Sequence, residues 1–326
     1  MQRIFLIFYN SYHAICAGGQ HVFPTAGIEC NPFVPFAVAL GISFFTSMGG
    51  ISGAFLLLPF QISVLGYTNP SVSATNQFFN VLACPSGVWR YWHEGRLVWP
   101  LAFTIALGTL PGVFIGAIVR INLLPNPQSF KIFAGLVLLY IGGRMAMTTW
   151  QGRASLWARK EKKENMPTCE DKNGRLMCCH VLYWNMKEVA FVFQETKYVV
   201  ATRALVLLSL VVGLVGGIYG IGGGAIMAPF LVSFFGLPVY VVAGSTLFAT
   251  FITSVAGVSF YALLAPFYPD MAVAPDWRMG VLVGLGGMCG MYAGARCQKF
   301  VPSIALKALL TAVLLFTAVR YLGQGF

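Results

Sequence analysis

Two long stretches of the chain carry no polar charge at all. Asp, Glu, Lys, Arg and His are missing from Cys30 to Trp89, and again from Ala204 to Pro269. Glu29 and Arg90 bound the first stretch, Arg203 and Asp270 the second. A hydrocarbon layer about 30 Å thick takes roughly 20 helical residues to cross. The 33 residues of Phe33–Leu65 would make a rod of roughly 50 Å at about 1.5 Å per residue. That is too long for one upright span. Glycines fall where the rod must give way, at Gly49-Gly50-Ile51-Ser52-Gly53. Ala204–Phe235 has the same form, with Gly220-Ile221-Gly222-Gly223-Gly224 at its middle. Each helix therefore either turns back at its glycines or continues at an angle.

Beyond the first break the pattern predicts helices over Ser71–Trp89, Leu97–Val119 and Phe130–Gly143. A polar link with interfacial aromatics, Arg90–Arg96, separates the first two, and Pro125–Pro127 the next. Arg144 opens a charged, cysteine-bearing loop that lasts to about Lys197, and then the pattern recurs.

The recurrence is an internal repeat. At an offset of 170, Gly50, Ile51, Gly53, Pro59, Phe60, Gly66 and Gly87 fall on Gly220, Ile221, Gly223, Pro229, Phe230, Gly236 and Gly257. Ala74-Thr75-Asn76 falls on Gly244-Ser245-Thr246 at the same offset. At 178, Trp99, Gly108, Gly112 and Gly116 fall on Trp277, Gly286, Gly290 and Gly294. Helix breakers, small residues and small polar groups are what a shared backbone shape would keep. Residues 33–144 and 204–320 are thus the two units, with an N-terminal stretch before them (1–32) and a loop between (145–203).

Charge argues for their orientation. Arg90 and Arg96 in one link correspond to a link in the second unit that carries Asp270 and Asp276 instead. The later link shows the reverse, with Arg296, Lys299 and Lys307 in the second unit. Because Lys and Arg favour the cytoplasmic side, the two units point opposite ways. Opposite pointing needs an odd number of crossings per unit, which a re-entrant broken helix plus three transmembrane helices supplies. The expected fold is an all-α polytopic membrane protein built from two inverted-topology repeats. The loop, with eleven Lys and Arg against six acids from Arg144 to Arg203, is expected on the cytoplasmic side. The first 32 residues are then extracytoplasmic.

Composition agrees. Apolar residues make up 57% of the chain, charged ones 10%, and the mean hydropathy is +0.74. The partner is a lipid bilayer; the net charge of +11 flanks apolar spans as an orientation signal, not as a nucleic-acid footprint. Cys16 and Cys30 can pair if both lie outside the cell, and Met1–Gly19 has some features of a signal segment.

The breaks are the candidate site. Irregular backbone at membrane depth persists only where protein or a water-filled cavity satisfies it. A half-helix that starts there presents free N–H groups and the positive end of its dipole. Two such ends can hold one small anion near the midplane. Gly49, Gly50, Gly53, Gly222, Gly223 and Gly224 let a ligand approach the backbone; Ser52, Thr75, Asn76, Ser245 and Thr246 add donors. The competing account is that these glycines serve helix packing alone. Packing is the expected role of Gly108, Gly112 and Gly116 and of Gly286, Gly290 and Gly294, which would hold each unit's helices together. No ionisable residue is embedded in the expected spans, Lys131 standing at the very start of Phe130–Gly143, which argues against an internal carboxylate relay.

Other constellations weigh less. Gly50-Ile51-Ser52-Gly53 has the G-x-S-G form of an intramembrane serine protease, but His13, His21, His93 and His180 all lie outside the apolar spans, so the serine lacks a base. The chain is not expected to be an enzyme or to need a cofactor. Cys169, Cys178, Cys179 and His180 fit no common zinc spacing.

At the duplicated breaks the sequence resembles the sulfite exporter TauE/SafE family of membrane transporters. Gly49–Pro59, Gly220–Pro229, Gly236-Leu237-Pro238 and Gly244-Ser245-Thr246-Leu247 carry the resemblance. Ser52 stands where the family usually has glycine, and Asn76 where it usually has serine. The resemblance implies a transporter in the cell's inner membrane. Its substrate would be sulfite, sulfoacetate or a related sulfur-containing anion. A channel or a membrane sensor for such an anion shares the same features.

Overall fold

The computed structural model describes residues 21–48, 51–158, 179–193, 196–297 and 303–325. Gly49 and Gly50 lie outside them, as do Cys16, Cys169 and Cys178. Among the described residues the α-helices fall into two sets of five. The first set is α1 (Phe33–Met48), α2 (Ala54–Ser63), α3 (Ser71–His93), α4 (Trp99–Asn122) and α5 (Pro127–Ala158). The second is α6 (Thr202–Tyr219), α7 (Gly223–Phe234), α8 (Val239–Leu264), α9 (Trp277–Cys297) and α10 (Ser303–Gly325). Three helical stretches among the described residues, Trp99–Asn122, Thr202–Tyr219 and Val241–Phe267, are long and apolar enough to cross a membrane.

Both expected breaks are present. Gly220 ends α6 with φ 80° and Gly222 precedes α7 with φ 71°, a region closed to most side chains. In the first unit Ser52 starts α2, its Oγ accepting the N–H of Ala54 at 3.3 Å. The short helices also end alike. Gly66 and Gly236 have φ 72° and 64°, and beyond them Tyr67 N–H donates to Gln61 O (2.9 Å) and Leu237 N–H to Leu231 O (3.2 Å). These are the same bond displaced by 170 residues, the closure of a helix on a left-handed glycine.

The units pack by exchange. Helix α4 lies on α6, and α9 on α1. An added Cβ on Gly112 would stand 2.6 Å from Leu214 N, and one on Gly116 would stand 2.8 Å from Ile218 N. Gly286, Gly290 and Gly294 press in the same way on Phe36, Leu40 and Phe44. So the glycine stripes do pack helices, but across the units and not within each one as expected. The cause is that every stripe glycine has the other unit's backbone where its side chain would be. Gly112→Ala should cost about 1–3 kcal/mol through overpacking, since backbone atoms cannot step aside. A thermal melt of the purified protein checks this; an unchanged midpoint would contradict the close approach.

Equivalent helices also meet each other. Gly87 of α3 touches Leu247 of α8, while Gln77 covers Gly257, so these two run antiparallel. Gly135 of α5 faces Tyr321 of α10 and Gly142 faces Leu315, again antiparallel. By contrast α3 and α9 run the same way, with Phe78 on Gly280 and Leu82 on Gly284.

Two small sheets depart from an all-helical reading. Strands β1 (His21–Phe23) and β2 (Ile28–Cys30) pair as a hairpin. It is held by Asp276, whose Oδ2 accepts Ala26 N–H at 3.0 Å while Oδ1 caps Met279 N–H at 2.9 Å. At the opposite end of α3, β3 (His180–Trp184), β4 (Glu188–Phe193) and β5 (Thr196–Ala201) form an antiparallel sheet. Cys179 N–H joins it to Gly95 O at 3.2 Å. The expected loop is thus shorter than its 145–203 bounds, because α5 runs on to Ala158, and no proline follows until Pro167.

Candidate functional site

Helix α3 carries Ser73, Asn76, Gln77 and Asn80, all fully buried, at the i, i+3, i+4, i+7 spacing of one face. That face meets both breaks. Asn80 Oδ1 accepts the hydroxyl of Ser52 in the first break, and Asn80 Nδ2 donates to Ile221 O in the second at 2.9 Å. One amide thus joins the two broken helices. Asn76 Nδ2 donates to Ala54 O at 3.0 Å, in the first turn of α2.

A proline supplies a second link between the halves. Pro59 has no N–H, so the carbonyl of Phe55 four residues earlier is left without its helical partner. Tyr219 O–H, from the last turn of α6, donates to that carbonyl at 3.4 Å, and its ring stacks on Phe55 at 6.0 Å.

The second break is lined by α8 and α4. Gly223 N–H donates to Thr253 Oγ1 at 3.3 Å. An added Cβ on Gly222 would stand 2.7 Å from Ser254 Oγ, on Gly223 2.5 Å from Thr109 Cβ, and on Gly224 2.5 Å from Thr250 N. Gly53 is equally close to Ser43. Their Cα faces are therefore filled by neighbouring helices, and the Gly223 amide is turned to Thr253 of α8. Ser43 Oγ, Asn76 Oδ1, Ser254 Oγ and both polar atoms of the Gln77 amide are buried without a hydrogen-bond partner. Unsatisfied buried polar atoms are uncommon, and here several gather where the breaks meet.

The expected residues separate into two groups. Ser52, Gly53, Asn76, Gly222, Gly223 and Gly224 come together around α3 and α8. Thr75 and Ser245 do not: Thr75 Oγ1 shares a bond with Tyr67 OH (2.7 Å) and accepts Asp276 N–H (2.8 Å), while Ser245 O–H donates to Val98 O (3.2 Å). Both tie helix starts to the neighbouring link. The Thr246 hydroxyl turns back to Val242 O at 2.9 Å, but its carbonyl lies against Gly224. Asn80, Thr250, Thr253 and Ser254 belong to the junction without having been singled out by sequence. The spacing of Asn76, Gln77 and Asn80 along one face of the helix was the signal for the first of these.

The junction itself is neutral. The expectation that no ionisable group is embedded meets two exceptions nearby, because Arg120 and Asp276 are buried. Helix α4 extends to Asn122, beyond the expected Val119, and takes Arg120 inside. Asp276 caps α9, as described above. Among the described residues no group of three His, Cys, Asp or Glu side chains could hold a metal ion.

No curated protein and no solved structure matches the chain. The family model described as "Sulfite exporter TauE/SafE" matches residues 35–321, which include both broken helices and the sheet between the units. This is a family of membrane transporters and not of enzymes, and its membership implies membrane transport of sulfite or a related anion. The chain belongs to the sulfite exporter TauE/SafE family.

Proposed function

We propose that the chain carries sulfite, or a related small sulfur-containing anion such as an organosulfonate, through a midplane site between its two broken helices. The observation that carries this reading is the Asn80 amide, bonded at once to Ser52 and to Ile221 O. It makes the two breaks one place. Helices α2 and α7 begin there, with Ala54 N–H bonded to Ser52 Oγ and Gly223 N–H to Thr253 Oγ1 in place of helical carbonyls, so their positive dipole ends face a shared point. An anion that sheds part of its water would be held by the amides of Gly222, Gly223 and Gly224 and by Ser52, Asn76 and Asn80.

The repeats are inverted in this reading, with units at 33–144 and 204–320. Equivalent helices α3 and α8 running antiparallel support it, as do α5 and α10. So does the direction of α2 along α3. Gly53 meets Phe79 and Ala54 meets Asn76, so α2 descends where α3 rises, as a re-entrant first break requires. The sheet β3–β5 and the Arg90–Arg96 link share one end of the molecule, and their Lys and Arg favour the cytoplasmic side for it. Every residue at the junction is buried, so passage needs one unit to rock against the other and open it to each side in turn.

Counterflow tests the reading. Proteoliposomes loaded with unlabelled sulfite should take up labelled sulfite above its equilibrium level, with saturable rates. Flux that rises linearly with concentration, without counterflow, would indicate a channel. Binding without flux would indicate a sensor.

A further inference from the structure

Arg120 stands in the last turn of α4 with none of its surface exposed. Its Nε donates to Ser73 Oγ at 3.4 Å, one terminal nitrogen to Leu124 O, and the other to Thr68 O at 3.4 Å. The guanidinium carbon lies 3.8 Å from the centre of the Phe130 ring. Among the described residues no carboxylate is within ion-pair distance, the ion pairs being those of Glu94 with Arg90 and Arg96. A guanidinium has five N–H donors, so these three bonds leave two unused.

A buried cation without a counter-ion costs several kcal/mol. Part of that is offset locally. Leu124 O lies just past the C-terminus of α4, and the Ser73 hydroxyl that meets Arg120 also donates to Ile218 O in the last turn of α6, at 3.2 Å. Two negative helix ends thus surround the charge. They do not neutralise it. Nor does the repeat ask for a cation here: at the offset of 178 that aligns the neighbouring glycines, the counterpart of Arg120 is Gln298. A staple needed only by the shared fold would be expected in both units. What the first unit has, and the described residues of the second lack, is a buried positive charge, placed one hydroxyl away from the second break.

We propose that Arg120 is the fixed counter-charge of the anion path. It takes a doubly charged oxyanion on its two unused N–H groups, at the end of the molecule nearer the β1–β2 hairpin, and sets the preference for dianions over monoanions. This inference rests on the transport function proposed above. Ser73 connects that end to the second break, since its oxygen accepts from Arg120 and its proton goes to Ile218 O.

The test is equilibrium binding to the full-length protein in lipid nanodiscs. Two probes are used: sulfite in alkaline buffer, where it is a dianion, and methanesulfonate, a monoanion. Arg120→Gln should weaken sulfite binding about tenfold or more and methanesulfonate binding much less, so that the ratio of the two affinities falls. Arg120→Lys should lie between, because an ammonium keeps the charge but loses the planar fork. An Arg120→Gln protein with the wild-type affinity ratio would overturn the proposal and mark Arg120 as a structural staple. If that variant does not fold, Arg120→Lys decides, and wild-type sulfite affinity in it overturns the proposal equally. Asn80→Asp, measured alongside, separates the two readings. If it loses binding while Arg120→Gln does not, the junction stands and the counter-charge falls. A wild-type protein that binds neither anion removes both.

Discussion

Asn80→Asp should abolish anion counterflow while leaving a folded protein. Aspartate nearly matches asparagine in shape and still accepts the Ser52 hydroxyl. It loses the donor to Ile221 O, and it sets a negative charge where an anion is to bind. The unsatisfied buried carbonyl costs about 1–3 kcal/mol and the unpaired buried carboxylate several kcal/mol more, so the variant should fold with a lowered melting midpoint. Asn80→Leu removes both bonds at once without adding a charge. Counterflow in proteoliposomes and thermal melts in detergent separate the two effects. Wild-type flux in Asn80→Asp would remove Asn80 from the site.

Gly223→Val should also abolish transport, and the structure changes the reason for expecting it. From the sequence, a β-branched side chain would block the ligand's approach. In the fold, a Cβ at Gly223 would stand 2.5 Å from Thr109 Cβ and 2.6 Å from Thr109 Cγ2. The substitution therefore pushes the start of α7 away from α4 and takes the amides of the second break out of position. Overpacking of this kind costs about 1–3 kcal/mol, so the variant should still insert and remain helical. A second variant exposes the cause. Thr109→Gly clears the space, and the double variant Gly223→Ala with Thr109→Gly should regain flux where Gly223→Ala alone does not. Flux unaffected by Gly223→Val would show that the start of α7 has no part in transport.

What sequence revealed follows from what backbone geometry demands. Gly220 and Gly222 adopt positive φ, and Gly112 meets the backbone of another helix. At such places side chains are excluded, so the residue type itself reports the shape, and the repeat reports it twice. Partner identity is not encoded that way. Nothing in the spacing of Gly108, Gly112 and Gly116 says whether they face their own unit or the other. Hydroxyl direction is equally silent: Ser52 and Thr246 look alike as donors, yet one reaches across to Asn80 and the other bonds its own helix. Arg120 escaped because a helix end set one residue short places it in a link instead of in the packed interior. Asn80 escaped because an amide side chain on a helix has no partner until the fold supplies one. The small sheets were hidden by short strands within charged, irregular sequence.

The most direct measurement is an experimental structure of the protein in lipid nanodiscs with sulfite bound. The account predicts the anion at the meeting point of α2 and α7, within hydrogen-bond reach of the amides of Gly223 or Gly224 and of the side chain of Asn80 or Ser52. An anion found on the lipid-facing surface, or along the glycine contacts between α4 and α6 with the junction unchanged, would contradict it.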